Sequence, residues 1–177
     1  MKHKVISVKQ PWSFLICSCI KDIENRTWKL PEKYKGERVL IHASAKLKSD
    51  LGSLLTYEQR LYIADHSSEE IKRMRTDDFN FSAIIGSVRF VDCRISHQSI
   101  WAEQTDLYGL FDNTQIWDKN GFESYDGRGI KGVIYNWVVA DPILFDKPIL
   151  NVKGKLGFWD YDLPEEYETI LNKALGL

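Results

Sequence analysis

Residues 5–28, VISVKQPWSFLICSCIKDIENRTW, decide the fold that this sequence predicts. Val5–Val8 is rich in β-branched residues and is typical of a short strand. A helix is predicted from about Pro11 to Ile20, because proline suits a first helical turn and the residues after it are apolar nearly all round. The stretch therefore predicts a strand followed by a helix that is buried on more than one side.

Strand-like alternation replaces the helical pattern from Ile23 onward. Because side chains alternate along an extended chain, Glu24, Arg26 and Trp28 are expected on one face. Lys21 falls at the end of the predicted helix, where a cation complements the partial negative charge of the C-terminus. The carboxylate of Glu24, the guanidinium of Arg26 and the indole of Trp28 are therefore expected on one face. The ammonium group of Lys21 comes shortly before them in the chain.

Further strands and a last helix are predicted from β-branched content, apolar spacing and turn residues. The strands are 38–43, 83–92 and 132–140, with Asp141-Pro142 breaking the last before 143–145, and the helix is 165–175. Helix-like leucine spacing predicts a helical insertion around residues 47–80, and poor periodicity predicts a long loop region around 96–128. The sum is an α+β fold with a mostly antiparallel sheet.

Size and composition predict one domain over residues 1–177, since 44% hydrophobic residues and six Trp suffice for a sizeable core. The longest apolar runs are far below the roughly 20 residues that cross a bilayer, and no signal-peptide core follows the N-terminus. We therefore expect a cytoplasmic protein without membrane contact. Cys17, Cys19 and Cys93 lack metal-ligand spacing, so neither a metal nor another cofactor is predicted. The oligomeric state stays open.

Positive charge is concentrated in the N-terminal part of the chain. The net charge is only −1, which excludes the strongly basic field of many nucleic-acid-binding proteins. Residues 1–50 nevertheless contain eleven Lys or Arg against five Asp or Glu, whereas residues 51–129 contain eight against thirteen. Either a local basic surface or ordinary solvated lysines account for this bias.

The order of several short motifs resembles the ASCH family, whose signature is G-x-K-x-x-E-x-R. The segments that carry the resemblance are Ile6–Trp12, Ile20–Trp28, Tyr34–Gly36, Leu40–Ala43, Ile85–Gly86, Tyr135–Trp137 and Lys153–Trp159. Lys21, Glu24 and Arg26 match the signature, and Cys19 stands where the signature has Gly. The resemblance covers nearly the whole chain apart from residues around 47–80 and 96–128.

This resemblance implies a PUA-like β-barrel of mostly antiparallel strands with peripheral helices, and a cleft between helix and sheet. The superfamily is associated with RNA and modified bases. It includes RNA-binding or coactivator-like modules, a branch with an amidohydrolase that acts on acetylated cytidine, and members to which nuclease activity has been attributed. The ligand-binding residues expected in the cleft are Lys9, Gln10, Trp12, Lys21, Glu24, Arg26, Trp28, His42, Ser44 and Lys46.

Each of these residues also has a structural interpretation. Lys21, Glu24 and Arg26 either bind phosphate, carbonyl or base groups or form ion pairs, which stabilise by about 0–1 kcal/mol when exposed. Trp12 and Trp28 either stack on a base or pack in the core. His42 is either a proton carrier or a core residue whose hydrogen bonds are satisfied, and Lys9 and Lys46 contact either phosphate or solvent.

Three functional hypotheses follow. The first is binding of RNA, single-stranded nucleic acid or a nucleotide-like ligand. The second is an enzyme, either an amidohydrolase on a modified, acylated nucleoside with Lys21 and Glu24 as the catalytic pair, or a ribonuclease. The third is a protein-interaction domain that docks a partner through the aromatic residues of the loop region, which are Trp101, Tyr108, Phe111, Trp117, Phe122 and Tyr125.

Overall fold

The structure, a computed structural model, describes residues 2–44, 51–69, 78–106, 117–118, 121–122 and 132–176. Its strands in chain order are β1 (Lys2–Val8), β2 (Ile23–Arg26), β3 (Arg38–Ala43), β4 (Ala83–Ile95), β5 (Trp117–Asp118), β6 (Gly121–Phe122), β7 (Tyr135–Ile149) and β8 (Phe158–Asp162). Its helices are α1 (Trp12–Cys17), α2 (Leu51–Leu54), α3 (Tyr57–His66) and α4 (Glu165–Leu175), with a short 3₁₀ helix at Glu32–Tyr34.

Six of the strands form one sheet in the order β2-β7-β4-β3-β1-β8, and β5 and β6 form a separate hairpin. β1 and β3 are parallel, and the other neighbouring strands in the sheet are antiparallel. The predicted α+β class and mostly antiparallel sheet are therefore confirmed. The order ends at β2 and β8, and no pairing joins these two strands in the described part of the chain, so a closed barrel is not confirmed.

The two ends of the sheet nevertheless approach each other through a side chain. Arg26 at the end of β2 donates from Nη2 to the backbone oxygen of Ser7 on β1, at 2.7 Å. The pairing of β1 with β8 extends only to Ile6 opposite Phe158, so Ser7 lies just beyond it. The sheet therefore curves until β2 faces the end of β1 across a narrow gap.

Alternation along β1 and β3 directs side chains into two apolar clusters on opposite faces of the sheet. Ile6 and Ile41 pack with Ile16 of α1 on the inner face. Val5 and Leu40 pack on the outer face, in the cluster that includes the buried side of α4. Full burial of an aliphatic side chain of this size contributes about 1.5–3 kcal/mol, so both faces stabilise the sheet.

One strand prediction was wrong. Asp141-Pro142 does not break the strand, because β7 runs through both residues to Ile149. Asp141 has a φ of 46°, and the register with β4 shifts at this point, where Ala140 pairs with Arg89 and Ile143 with Ser87. The bulge accommodates a proline that has no N–H to donate to the ladder.

The predicted helical insertion contains α2 and α3. α3 begins with a capping box, in which the hydroxyl of Thr56 accepts from the N–H of Gln59 and the side chain of Gln59 accepts from the N–H of Thr56. Residues 45–50 and 70–77 of this region lie outside the described residues. No helix in the described ranges is long and apolar enough to cross a membrane.

The predicted loop region around 96–128 is described at residues 96–106, which have irregular structure, and at the two short strands of the hairpin. Most of the aromatic residues predicted as a docking surface therefore lie outside the residues whose side chains are described. Trp101 is an exception and is buried, with 3% of its surface exposed.

Candidate functional site

A cavity of about 820 Å³ opens between the ends of β1 and β2, the start of α1 and residues 100–103. This volume falls within the range of about 300–1,000 Å³ that is common for small-molecule sites. The lining residues are Ser7, Val8, Lys9, Trp12, Lys21, Glu24, Asn25, Arg26, Thr27, Trp28, Ser44, Leu54, Thr56, Gln59, Ile100, Trp101, Ala102, Glu103 and Leu156.

The end of α1 turns the chain so that Lys21 enters this cavity. Cys19 has a φ of 63°, and its N–H donates to the oxygen of Ile16, while the N–H of Ile20 donates to the oxygen of Leu15. These two bonds form a Schellman motif, which usually has glycine at the left-handed position. The helix consequently ends three residues earlier than predicted, and the position where the ASCH signature has Gly has the backbone conformation that favours Gly.

Lys21, Glu24 and Arg26 meet at the floor of the cavity. Nζ of Lys21 lies 3.6 Å from Oε2 of Glu24, and Nε of Arg26 lies 3.0 Å from Oε1. Lys21 also donates to the backbone oxygen of Ile23. One carboxylate therefore lies between two cations, and the cluster has a net charge of +1 when all three groups are ionised.

Burial dominates the electrostatics of Lys21. Its residue is 4% exposed, and removal from water lowers the pKa of its ammonium group, while the nearby carboxylate of Glu24 raises it. The ammonium group also lies 5.7 Å from the centre of the Trp12 ring, which favours the cation. Burial on one side, and the Glu24 carboxylate and the Trp12 ring on the other, therefore act on the pKa of Lys21 in opposite directions.

Aromatic rings form the walls above this floor. Trp12 contacts the buried Trp101 edge to face, with ring centres 6.5 Å apart. Trp28, which follows the last residue of β2 by two, packs edge to face against Trp137 at 4.5 Å. Both Trp12 and Trp28 are half-buried, so each indole is partly packed and partly open to the cavity.

An amide network holds the wall formed by residues 100–103. Nδ2 of the buried Asn136 donates to Oδ1 of Asn25 at 2.9 Å and to the backbone oxygen of Glu103 at 3.1 Å, and its Oδ1 accepts from the N–H of His97. Asn25 in turn donates to the backbone oxygen of Trp101 at 2.9 Å. The strands β2 and β7 thereby fix an irregular segment in place.

The helical insertion also reaches the cavity. Nε2 of Gln59 donates to the backbone oxygen of Ile100 at 3.0 Å, and Leu54 and Thr56 line the same opening. Sequence patterns did not predict these residues, the amide network or residues 100–103 as part of the site. These residues follow no periodic pattern in the sequence, so no sequence signal marks them.

Seven of the ten predicted site residues line the cavity, namely Lys9, Trp12, Lys21, Glu24, Arg26, Trp28 and Ser44. Gln10 does not line it. Its side chain is buried and supports α1, donating to the backbone oxygen of Asn80 and accepting from the N–H of Phe14. Lys46 lies outside the described residues.

His42 also lies away from the cavity, beneath the loop before β8. Its Nε2 lies 2.8 Å from the backbone oxygen of Val152, and burial lowers its pKa, so the neutral ring is favoured. Gly154 covers the ring so closely that a Cβ there would lie 2.6 Å from Cε1 of His42. The described residues contain no group of three His, Cys, Asp or Glu side chains suited to a metal ion.

Comparison with known proteins yields matches among solved structures. One is the crystal structure of ASCH from Zymomonas mobilis, with 14% identity, a TM-score of 0.43 and coverage of 96% of this chain and 93% of that chain. Structures of two point mutants of the same protein give 14% and 15% identity and TM-scores of 0.44 and 0.42, with coverage of 96% of this chain and 94% and 96% of theirs.

The chain resembles ASCH proteins. At these identities and TM-scores the likeness concerns the fold alone. No protein-family model matches the sequence, and no curated protein matches it significantly. The chemistry that the cavity can perform is therefore inferred from the side chains that line it.

Proposed function

We propose that the cavity binds a nucleotide-like ligand, as a free nucleotide or as one residue of a single-stranded RNA. The observation that carries the proposal is the buried cluster of Lys21, Glu24 and Arg26 at the floor of an aromatic-walled cavity of about 820 Å³. In this proposal, residues 1–177 form one PUA-like domain and the cavity is its ligand site.

The side chains match the parts of a nucleotide. The indoles of Trp12 and Trp28 offer faces for a base, and such stacking contributes about 1–3 kcal/mol per base. The carboxylate of Glu24 accepts hydrogen bonds from base N–H groups, while Lys21 and Arg26 donate to carbonyl or phosphate oxygens. Lys9 is exposed at the rim, where its ammonium group can contact a phosphate without losing its hydration.

A hydrolase is the second candidate, and the lowered pKa of Lys21 favours it. The lowered pKa makes it easier for Lys21 to lose its proton, and a deprotonated amine beside a carboxylate can take a proton from water as the water attacks an acyl carbon. The same proton would then pass to the leaving nitrogen or oxygen as its bond to the acyl carbon breaks. The substrate would be a modified, acylated nucleoside, with Lys21 and Glu24 as the catalytic pair. A ribonuclease would use the same pair to take the proton of a ribose 2′-hydroxyl, whose oxygen would attack the adjacent phosphorus while the 5′-oxygen of the next nucleotide leaves and takes up a proton. Turnover of a panel of acylated nucleosides or of RNA, lost in Glu24→Gln, would support this candidate.

The protein-interaction hypothesis has less support. Trp101, one of the aromatic residues proposed to dock a partner, is buried in the cluster that contains Ile20 and Ile23. It stabilises the wall of the cavity instead of presenting a surface.

Binding tests the proposal directly. The purified protein is titrated with the four ribonucleoside monophosphates and with a fluorescein-labelled, mixed-sequence RNA octamer at about 50 and 200 mM salt. Lys21→Ala/Arg26→Ala should weaken binding by about tenfold or more, since a hydrogen bond to a charged group contributes about 1.5–3 kcal/mol.

Lys147→Ala/Lys173→Ala is the matched control, because it removes two exposed positive charges from β7 and α4, outside the cavity lining. Thermal melts of each variant establish that it is folded. Equal binding by the cavity variant and the wild-type protein would refute the proposal.

A further inference from the structure

Glu103 is a second carboxylate in the lining of the cavity, on the wall formed by residues 100–103. The residue is exposed, and its Oε1 accepts from Nδ2 of Asn25 at 3.4 Å. Among the described residues its side chain has no other hydrogen bond or ion pair. Glu24, by contrast, has one oxygen facing Lys21 and the other facing Arg26. Glu103 is therefore the carboxylate of this lining that keeps an oxygen for a ligand.

The backbone of Glu103 is held from both sides, although the residue lies outside helices and strands. Its N–H donates to Oδ1 of Asn25 at 3.1 Å, and its backbone oxygen accepts from Nδ2 of Asn136 at 3.1 Å. Asn25 belongs to β2 and the buried Asn136 to β7, so two strands of the sheet fix the position of this residue. A group that is already positioned loses less conformational freedom when it binds a ligand.

Hydrogen-bond donors on the floor line the same cavity as this acceptor. Nη2 of Arg26 donates to the backbone oxygen of Ser7, and among the described residues its Nη1 has no partner. Burial lowers the pKa of the Lys21 ammonium group, while nearby carboxylates, Glu103 among them, raise it, so Lys21 and Glu103 interact electrostatically. The cavity thus combines cationic N–H donors on its floor with a carboxylate acceptor on its wall.

This combination complements the edge of a base that carries both an amino group and a carbonyl oxygen. Cytosine and guanine have such an edge, and a carboxylate commonly accepts from the amino group of cytosine, while Lys and Arg commonly donate to the carbonyl oxygen of guanine. Uracil has a carbonyl oxygen where cytosine has its amino group, and a carboxylate repels that oxygen. Hypoxanthine lacks the amino group of guanine.

We propose that Glu103 determines the specificity of the cavity by accepting from the amino group of a cytosine or guanine base, while Lys21 or Arg26 donates to the carbonyl oxygen of that base. This inference rests on the proposed function and deepens it, because it names the class of base and the residue that selects it. A site that hydrogen-bonds one group of its ligand discriminates strongly against an analogue without that group, because the buried polar groups of the site then lose their partner.

Calorimetry with two matched pairs of ribonucleoside monophosphates tests the inference. The pairs are cytidine with uridine monophosphate and guanosine with inosine monophosphate, and the second pair differs only in the amino group. Both members of a pair carry the same ribose and phosphate, so the ratio of their affinities reports on the base alone.

The variant is Glu103→Gln, which removes the charge and keeps an oxygen for the bond from Asn25. Glu37→Gln is the matched control, because it makes the same chemical change at an exposed residue outside the cavity lining. The backbone hydrogen bonds of residue 103 do not involve its side chain, so the variant is expected to fold, and thermal melts of all three proteins check this.

In the wild-type protein and in Glu37→Gln, the amino-bearing member of at least one pair should bind about tenfold or more tightly than its counterpart. In Glu103→Gln this ratio should fall to about threefold or less. A neutral amide is a weaker acceptor than a carboxylate, and its NH₂ group can donate to the carbonyl oxygen that the carboxylate repels.

Failure of this inference and failure of the proposed function give different results. Binding without preference for the amino-bearing member of either pair, or a preference that is equal in Glu103→Gln and in Glu37→Gln, would overturn this inference and leave the proposed function standing. Absence of binding by all four monophosphates and by the RNA octamer would overturn the proposed function, and this inference with it.

Discussion

Nζ of Lys21 lies 3.6 Å from Oε2 of Glu24, and less than a tenth of either side chain is exposed. Burial of two charges in one place is unfavourable unless each is paired, and the second cation, Arg26, completes the pairing of the carboxylate. The cluster is therefore retained at a cost in stability, which is typical of a group of residues whose purpose is binding or catalysis.

Lys21 should make the stability of the protein depend on alkaline pH. Its folded-state pKa is below the ordinary 10.5, so between these two values the unfolded chain binds more protons than the folded one. Stability then rises with pH through that window and levels off above 10.5. Urea unfolding gives the free energy of unfolding of the wild-type protein and of Lys21→Met at each pH. As the pH rises, this free energy should increase more in the wild-type protein than in the variant. Parallel pH profiles would contradict the assignment.

Glu24→Gln should destabilise the protein more than Lys21→Met. Loss of the carboxylate leaves two buried cations without their shared partner, whereas loss of the ammonium leaves Glu24 paired with Arg26. Removing one member of a buried pair costs about 3–5 kcal/mol, and we expect Glu24→Gln near the lower end, because the amide keeps a hydrogen-bonding oxygen. The double variant should lose less stability than the sum of the single variants, as measured by denaturant unfolding; additive losses would mean that the two groups do not interact.

Cys19→Gly should stabilise the protein by about 1 kcal/mol, because a left-handed backbone conformation is unfavourable for a residue with a Cβ. Cys19→Ala is the matched control, since it removes the thiol and keeps the Cβ. Thermal or urea unfolding of the three proteins separates the two effects. An equal gain in the alanine variant would assign the effect to the thiol and not to the backbone.

The floor of the cavity, formed by Lys21, Glu24 and Arg26, was predictable from the sequence because it depends on local structure. Period-two alternation brings Glu24 and Arg26 to one face, and a helix end brings Lys21 beside them. His42 was predicted for the site because it lies in the right strand, but alternation along β3 directs it to the opposite face from Ile41. Alternation in the sequence predicts which side chains share a face of the sheet. It does not predict which face lies towards the cavity and which is covered by another part of the chain.

The wall of the cavity was not predictable, because its contacts join distant parts of the chain. Asn25 and Asn136 are 111 positions apart, and neither belongs to a recognisable motif for a loop anchor. The continuity of β7 through Pro142 depends equally on its long-range pairing with β4, which local turn propensity at Asp141 does not reveal. Tertiary hydrogen bonds outweigh local preference at both places.

Asn136→Ala should both destabilise the protein and loosen the wall of the cavity. It removes a buried amide and leaves the N–H of His97 and the oxygen of Glu103 without this partner. An unsatisfied buried polar group costs about 1–3 kcal/mol, so a loss of about 2–3 kcal/mol is expected. Hydrogen exchange should show reduced protection at residues 97–105 in the variant, and nucleotide affinity should fall. Gln104→Ala is the control, since its exposed side chain bonds only to nearby backbone oxygens among the contacts described.

His42 should make the protein sensitive to mild acid. The residue is 2% exposed and its ring lies beneath Gly154, and burial lowers its pKa from the ordinary 6.5. The unfolded chain therefore binds a proton near pH 6.5 that the folded chain does not yet bind, so stability falls as the pH drops from 6.5 toward the lowered folded-state pKa. The variant His42→Gln keeps a donor for the oxygen of Val152 and cannot titrate. Urea unfolding at pH 7 and pH 5 should show a smaller loss in this variant than in the wild-type protein, with His66→Gln, an exposed histidine of α3, as the matched control. An equal loss in the wild type and His42→Gln would mean that other groups cause the acid sensitivity, and that the loop over His42 opens enough to hydrate the ring.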